Sequence, residues 1–128
     1  MNTILLIEDN LEIRENTAEI LELANYKVVT AENGKDGIEK ASTTKPDVII
    51  CDIMMPEMDG FQFLTEFHRR PDVNHIPIIV LTAMDLDANQ QAFLANQTVE
   101  ILKKGSTDSE TILDHLKKHI HNLNPTQD

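Results

Sequence analysis

The sequence predicts an α/β fold: a doubly wound parallel sheet of five strands with helices on both faces. Apolar runs such as Val48-Ile49-Ile50-Cys51 and Ile78-Ile79-Val80-Leu81 are continuous rather than alternating, as in strands buried on both faces. Five such strand signals alternate with five segments of helical periodicity, the pattern of right-handed crossovers in a parallel sheet. The runs also end in charged or hydroxyl residues: 3–7 in Glu8-Asp9, 46–51 in Asp52, 76–81 in Thr82. In open α/β sheets that edge, outside the carboxyl ends of the strands, is where ligands bind.

Each element has its own local reason. Asn10 is a good helix N-cap, and Ile13, Thr17, Ile20, Leu21 and Ala24 recur along one face of a first helix ending near Leu23. Residues 26–30 read as the second strand. Asn33-Gly34 marks a turn before a second helix through Ile38 and Ala41, weakened by Gly37, which costs about 1 kcal/mol relative to alanine. The third strand follows, then a loop over 54–60 and a third helix lined by Phe61, Leu64 and Phe67 that stops before Pro71. Residues 76–81 form a fourth strand, with Pro77 tolerated near its start. A mostly polar fourth helix spans 85–95, a fifth strand 99–102 ends at Lys103-Lys104, and Thr107 and Glu110 suit a capping box for a last helix carrying Ile112, Leu113, Leu116 and Ile120. For this length the expected strand order is 2-1-3-4-5, the flavodoxin-like (βα)5 arrangement, which sets strands one and three side by side.

At 128 residues the chain fits one domain. We expect it to span 1–121, with a polar tail at 122–128. Apolar and charged fractions of 41% and 26% are those of an ordinary globular protein. A formal charge of -11 argues against direct nucleic-acid binding, which needs a basic face. Neither a secretory leader nor a run of membrane-spanning length is legible. Lone Cys51 reads as a small buried hydrophobe and fits a reducing compartment, so a cytoplasmic location is expected.

The strand ends carry the chemistry. If strands one and three are neighbours, Glu8, Asp9 and Asp52 converge, and a hard oxygen-seeking cation such as Mg2+ relieves their repulsion. With Thr82 and a lysine from the fifth strand end, these are the parts needed to accept a phosphoryl group: a carboxylate nucleophile, a cation site, a hydroxyl donor and a fixed ammonium. Spread over four strand ends, the set is far more specific than any one member.

From Thr3 to Ile120 the chain resembles the receiver domain of bacterial two-component response regulators. The resemblance rests on Ile4-Leu5-Leu6-Ile7-Glu8-Asp9-Asn10, on Asn33-Gly34, on Pro46-Asp47-Val48-Ile49-Ile50-Cys51-Asp52-Ile53-Met54-Met55-Pro56-Glu57-Met58-Asp59-Gly60 and on Ile76-Pro77-Ile78-Ile79-Val80-Leu81-Thr82-Ala83. It implies that Asp52 takes phosphate from a phosphohistidine of a sensor histidine kinase or phosphotransfer protein. Glu8, Asp9, Asp52 and the backbone carbonyl of Met54 would surround Mg2+, and Thr82 would bond the phosphoryl oxygens. The family's strand motif of aromatic, Leu, any residue, Lys, Pro selects Lys104 rather than Lys103. The resemblance also places Met54 and Met84 beside the path of the water that attacks the acyl phosphate. It implies a signalling switch that catalyses its own phosphorylation, not an enzyme with a separate substrate. Expected partners are the kinase and a downstream protein or fused output domain; a phosphorylation-dependent dimer is a further expected assembly, and no membrane is.

Three departures cluster near the last strand. Ile101 stands for the usual Tyr or Phe, Gly105 for proline, and Gln97-Thr98 where Gly-Ala is common. They bear on the output step, in which the threonine and the aromatic move together. With glycine after Lys104, the peptide between them is expected to be trans, since cis before a non-proline residue costs about 2.5–4 kcal/mol; the loop must then reach the same lysine position by another route, which Gly105 makes possible because it can adopt φ > 0 where other residues resist it.

Competing readings fare less well. A haloacid-dehalogenase phosphatase needs Asp-x-Asp after strand one, where this chain has Leu11. An FMN protein is disfavoured by the acidic first loop and the lack of tryptophan. A receiver frozen as a pure interaction module would have lost the Asp52, Thr82, Lys104 set. His115 and His119 share a helical face, but no third ligand is evident, so a solvated face is expected. The methionines at 54, 55 and 58 read as loop packing rather than a soft-metal site.

Overall fold

The computed structural model describes residues 2–55, 58–105 and 108–123, the side chains of 121–123 excepted. The chain alternates β1 (Thr3–Ile7), α1 (Leu11–Leu23), β2 (Lys27–Ala31), α2 (Gly34–Thr44), β3 (Val48–Cys51), α3 (Gly60–His68), β4 (Ile78–Thr82), α4 (Ala88–Gln97), β5 (Glu100–Lys103) and α5 (Ser109–Leu123). All pairings are parallel and the order is β2-β1-β3-β4-β5, as the sequence predicts. Because successive strand residues point to opposite faces, the apolar runs split between two cores. Leu5, Ile7, Ile49, Cys51, Ile78 and Val80 pack with α2, α3 and α4. Their neighbours Ile4, Leu6, Val48, Ile50, Ile79 and Leu81 pack with α1 and α5.

Helix starts follow local capping. Asn10 accepts the Ile13 N–H at 2.9 Å and Asn33 accepts the Asp36 N–H at 2.8 Å. Asp59 with Gln62, and Asp87 with Gln90, form capping boxes for α3 and α4. The second box moves the start of α4 to Ala88, three residues past the expected Asp85, whose carboxylate pairs with Lys103 instead. At α5, the expected capping residue Thr107 lies outside the described residues, and Asp108 accepts the Thr111 N–H at 2.8 Å.

Other departures have packing causes. The buried face of α3 is Phe63, Leu64 and Phe67; Phe61 is only half-buried and meets Phe93 of α4, ring centroids 5.9 Å apart. Of the face expected on α1, only Leu21 is fully buried, and Ile13 is 38% exposed, so the helix meets the sheet along its C-terminal half. Gly37 is explained by contact rather than weakness: a Cβ there would stand 2.5 Å from Ile7 Cδ1, so its absence lets α2 press against β1. β4 begins after Pro77, which has no N–H to donate; its carbonyl accepts the Ile49 N–H at 3.0 Å.

Candidate functional site

The backbone ladder carries the site residues just past the strands. Ile7 pairs with Cys51, and the next N–H, that of Asp52, donates to Ile7 O at 3.1 Å. Glu8 N–H donates to Ala31 O at 3.0 Å on the other side of β1. Thr82 pairs with Lys103 across β4 and β5, and Lys104 N–H donates to Thr82 O at 2.9 Å. Four strand ends thus meet at one edge. Glu8, Asp52 and Thr82 are buried there, while Asp9 is exposed.

Oxygens of Glu8, Asp9 and Asp52 lie within 4.8 Å of one another. Lys104 Nζ donates to Asp52 Oδ2 at 2.7 Å and also to Glu8 Oε1. The remaining carboxylate oxygens are held by backbone: Asn10 N–H donates to Glu8 Oε2 at 3.2 Å, and Met54 N–H to Asp52 Oδ1 at 3.2 Å. Thr82 Oγ1 accepts the Met84 N–H at 3.1 Å, which leaves its own hydrogen available for donation. The positioning group that sequence reading missed is Arg14, whose guanidinium donates to the carbonyls of Glu8 at 2.8 Å and Asp9 at 3.4 Å. An arginine one turn into α1 carries no local signal for that role.

Burial pushes the Glu8 carboxyl above its ordinary range, and the charge of Asp52 adds to this, against the pull of Lys104 and the Asn10 N–H. Burial opposes the charge of Lys104, but its bonds to Asp52 and Glu8 outweigh that and raise its pKa. Cys51, fully buried in β3, has its thiol pushed up by burial and by Asp52 and Glu8, so it is an inert packing group as expected.

The oxygen-only donor set suits a hard divalent cation and offers neither imidazole nor thiolate. Beside it lies a cavity of about 570 Å³ walled by Asp9, Ile53, Met54, Met55, Asp59, Phe61 and Met84. Met54 is 56% exposed and Met55 buried, so the loop packs through one methionine and presents the other. Lys103 points away to Asp85, so Lys104 is the lysine at the acid cluster. The Lys104–Gly105 peptide is trans and Gly105 has φ +85°. Among the described residues, no helix is long and apolar enough to cross a membrane.

Comparison with known proteins agrees with this geometry. The family model described as the response regulator receiver domain matches residues 4–117. The chain is 32% identical over 113 residues to protein PilH of Pseudomonas aeruginosa, covering 88% of this chain and 93% of that protein. It is 37% identical to a protein-glutamate methylesterase/protein-glutamine glutaminase of Archaeoglobus fulgidus, covering 84% of this chain but 29% of that longer protein. The solved receiver domain of a signal transduction histidine kinase from Syntrophus aciditrophicus superposes with a TM-score of 0.87 at 28% identity, covering 100% of this chain and 96% of that one. With the 2-1-3-4-5 sheet and the acid cluster at its carboxyl edge, the chain belongs to the response regulator receiver domain family.

Proposed function

We propose that the protein is a phosphorylation-operated switch whose acceptor is Asp52. The observation that carries this is the contact between Lys104 and Asp52: a buried carboxylate is held by a fixed ammonium on one oxygen and a backbone N–H on the other. Transfer from a phosphohistidine makes a bond between an Asp52 oxygen and phosphorus. The P–N bond breaks, its electron pair stays on the imidazole nitrogen, and that nitrogen takes up a proton. Lys104 offsets the charge gathering on the phosphoryl oxygens, and the Thr82 hydroxyl donates to one of them. Glu8, Asp9, Asp52 and the Met54 carbonyl are the residues that would hold Mg2+. When bound, the ion neutralises charge shared by carboxylates and phosphate.

In this reading the domain spans 1–121 and works in the cytoplasm; of the polar tail expected at 122–128, residues 122 and 123 still belong to α5. A sensor histidine kinase or phosphotransfer protein supplies the phosphoryl group, and a downstream protein, a fused output domain or a phosphorylation-dependent dimer reads it. Incubation with a small acyl phosphate and Mg2+, followed by intact mass, tests the assignment. Wild type is expected to gain one phosphoryl group and Asp52→Asn none. An adduct on Asp52→Asn at the wild-type level overturns it.

A further inference from the structure

Away from the acid cluster, α5 and the edge strand β5 bring together a group that the sequence does not reveal. His115 and His119, one helical turn apart, do not face solvent as expected. Both are largely buried against Glu100 of β5, with His115 Nδ1 3.2 Å and His119 Nε2 3.7 Å from the same oxygen, Oε1. Neither nitrogen makes a hydrogen bond, and both are cut off from solvent. Two imidazole nitrogens and a carboxylate oxygen thus converge in a part of the molecule where neither nitrogen has another partner, and all three are donor types that a metal ion takes.

We propose that His115, His119 and Glu100 form a transition-metal site, for Zn2+ or an ion of like preference, at the seam between β5 and α5. Two histidines at i and i+4 plus one carboxylate is a ligand set that suits Zn2+, with a fourth position left for water. Ligands on one tetrahedral ion with Zn–N and Zn–O bonds near 2 Å lie about 3.3 Å apart, close to the two nitrogen–oxygen separations. The three atoms are not mutually within 4.8 Å, so binding an ion requires the two imidazoles to rotate toward each other. Lys118, whose Nζ is 3.8 Å from Glu100 Oε1, is 63% exposed and free to swing into water as the metal charge arrives. His119 also lines a cavity of about 400 Å³ with His68, His75 and Gln97, so open space reaches one edge of its ring while its Nε2 stays covered. His68 is engaged there through Nε2, 2.9 Å from Gln97 O. Because the ligands come from a strand and a helix, a bound ion would tie the edge of the sheet to α5.

The test is Zn2+ titration by calorimetry and by thermal melting, with excess Mg2+ present to compete at the acid cluster, and Co2+ absorption as a geometric readout. Wild type is expected to bind one Zn2+, to melt higher with it, and to give the intense visible bands of tetrahedral Co2+. His115→Gln and His119→Gln are each expected to weaken binding by roughly tenfold or more, and the double variant to lose it, with circular dichroism unchanged. Asp52→Asn is expected to retain it. Zn2+ binding by the double variant within twofold of wild type overturns the proposal. So does a wild type that binds no Zn2+ in the presence of Mg2+ and gives no tetrahedral Co2+ bands.

Discussion

Lys104 Nζ lies 2.7 Å from Asp52 Oδ2 and also bonds the carboxylate of Glu8, so one ammonium bridges two buried acids from different strands and offsets only part of their charge. Side-chain exposures of 17% for Lys104, 5% for Glu8 and 7% for Asp52 make this an interior cluster rather than a surface ion pair. Removing one partner of a buried pair strands the other charge, at about 3–5 kcal/mol. Lys104→Met is therefore expected to lower the unfolding free energy by about 3 kcal/mol in metal-free buffer near neutral pH. Adding Asp52→Asn to Lys104→Met is expected to return much of that. Urea denaturation of the single and double variants measures both, and an additive double variant would contradict the coupling.

Asp9 differs from its two neighbours in being exposed, whereas Glu8 and Asp52 are the acids that Lys104 bonds. It contributes negative charge to a cluster whose member Glu8 is already pushed toward protonation by burial and by Asp52. Asp9→Ala is expected to keep or slightly raise the melting temperature without metal, and to remove most of the rise that Mg2+ gives the wild type. Melts of both proteins with and without Mg2+ decide the point; a clear loss of metal-free stability in the variant would show that Asp9 supports the fold.

Met54 and Met84 share the cavity beside the acid cluster, and neither side chain can orient an attacking water through a strong hydrogen bond. The phosphorylated state is thus expected to be long-lived. Met84→Glu and Met54→Asn are each expected to speed loss of the phosphoryl group several-fold, followed by intact mass over time after the donor is removed. Unchanged decay in both would place control of water elsewhere.

The strands and the acid cluster were legible because both are written locally: buried parallel strands show as apolar runs, and site residues follow them directly. The phase of α3 was not. Phe61, Phe63, Leu64 and Phe67 are all apolar, so spacing alone cannot choose between Phe61 and Phe63 for the core. In the folded chain the buried positions Phe63, Leu64 and Phe67 continue the face that begins at Gly60, where a Cβ would stand 2.5 Å from Ile53 Cα. Glu100 as the partner of His115 and His119 was equally hidden, since the contact joins a strand to a helix across the intervening loop. Arg14 had no signal because its partners are backbone carbonyls, which every residue possesses.

Gly105 is where local conformation and the site depend on each other. Its φ of +85° follows the trans peptide from Lys104, and the turn they form carries the lysine from the end of β5 to the acid cluster. A Cβ at Gly105 would meet nothing within 4 Å, so alanine there causes no collision. The penalty for Gly105→Ala is instead conformational, about 1–2 kcal/mol for an L-residue in the left-handed region. The protein can bear that cost or relieve it by moving the turn, and moving the turn withdraws Lys104 from Asp52. The two responses separate by measurement. If the turn holds, stability falls by about 1 kcal/mol and phosphorylation proceeds at the wild-type rate. If it relaxes, stability falls less but phosphorylation slows toward the level of Lys104→Met. The bonds from Lys104 to both buried carboxylates favour the first outcome, because releasing them costs more than the strain. A Gly105→Ala protein with full stability and full phosphorylation would show that the positive φ is not needed to position Lys104.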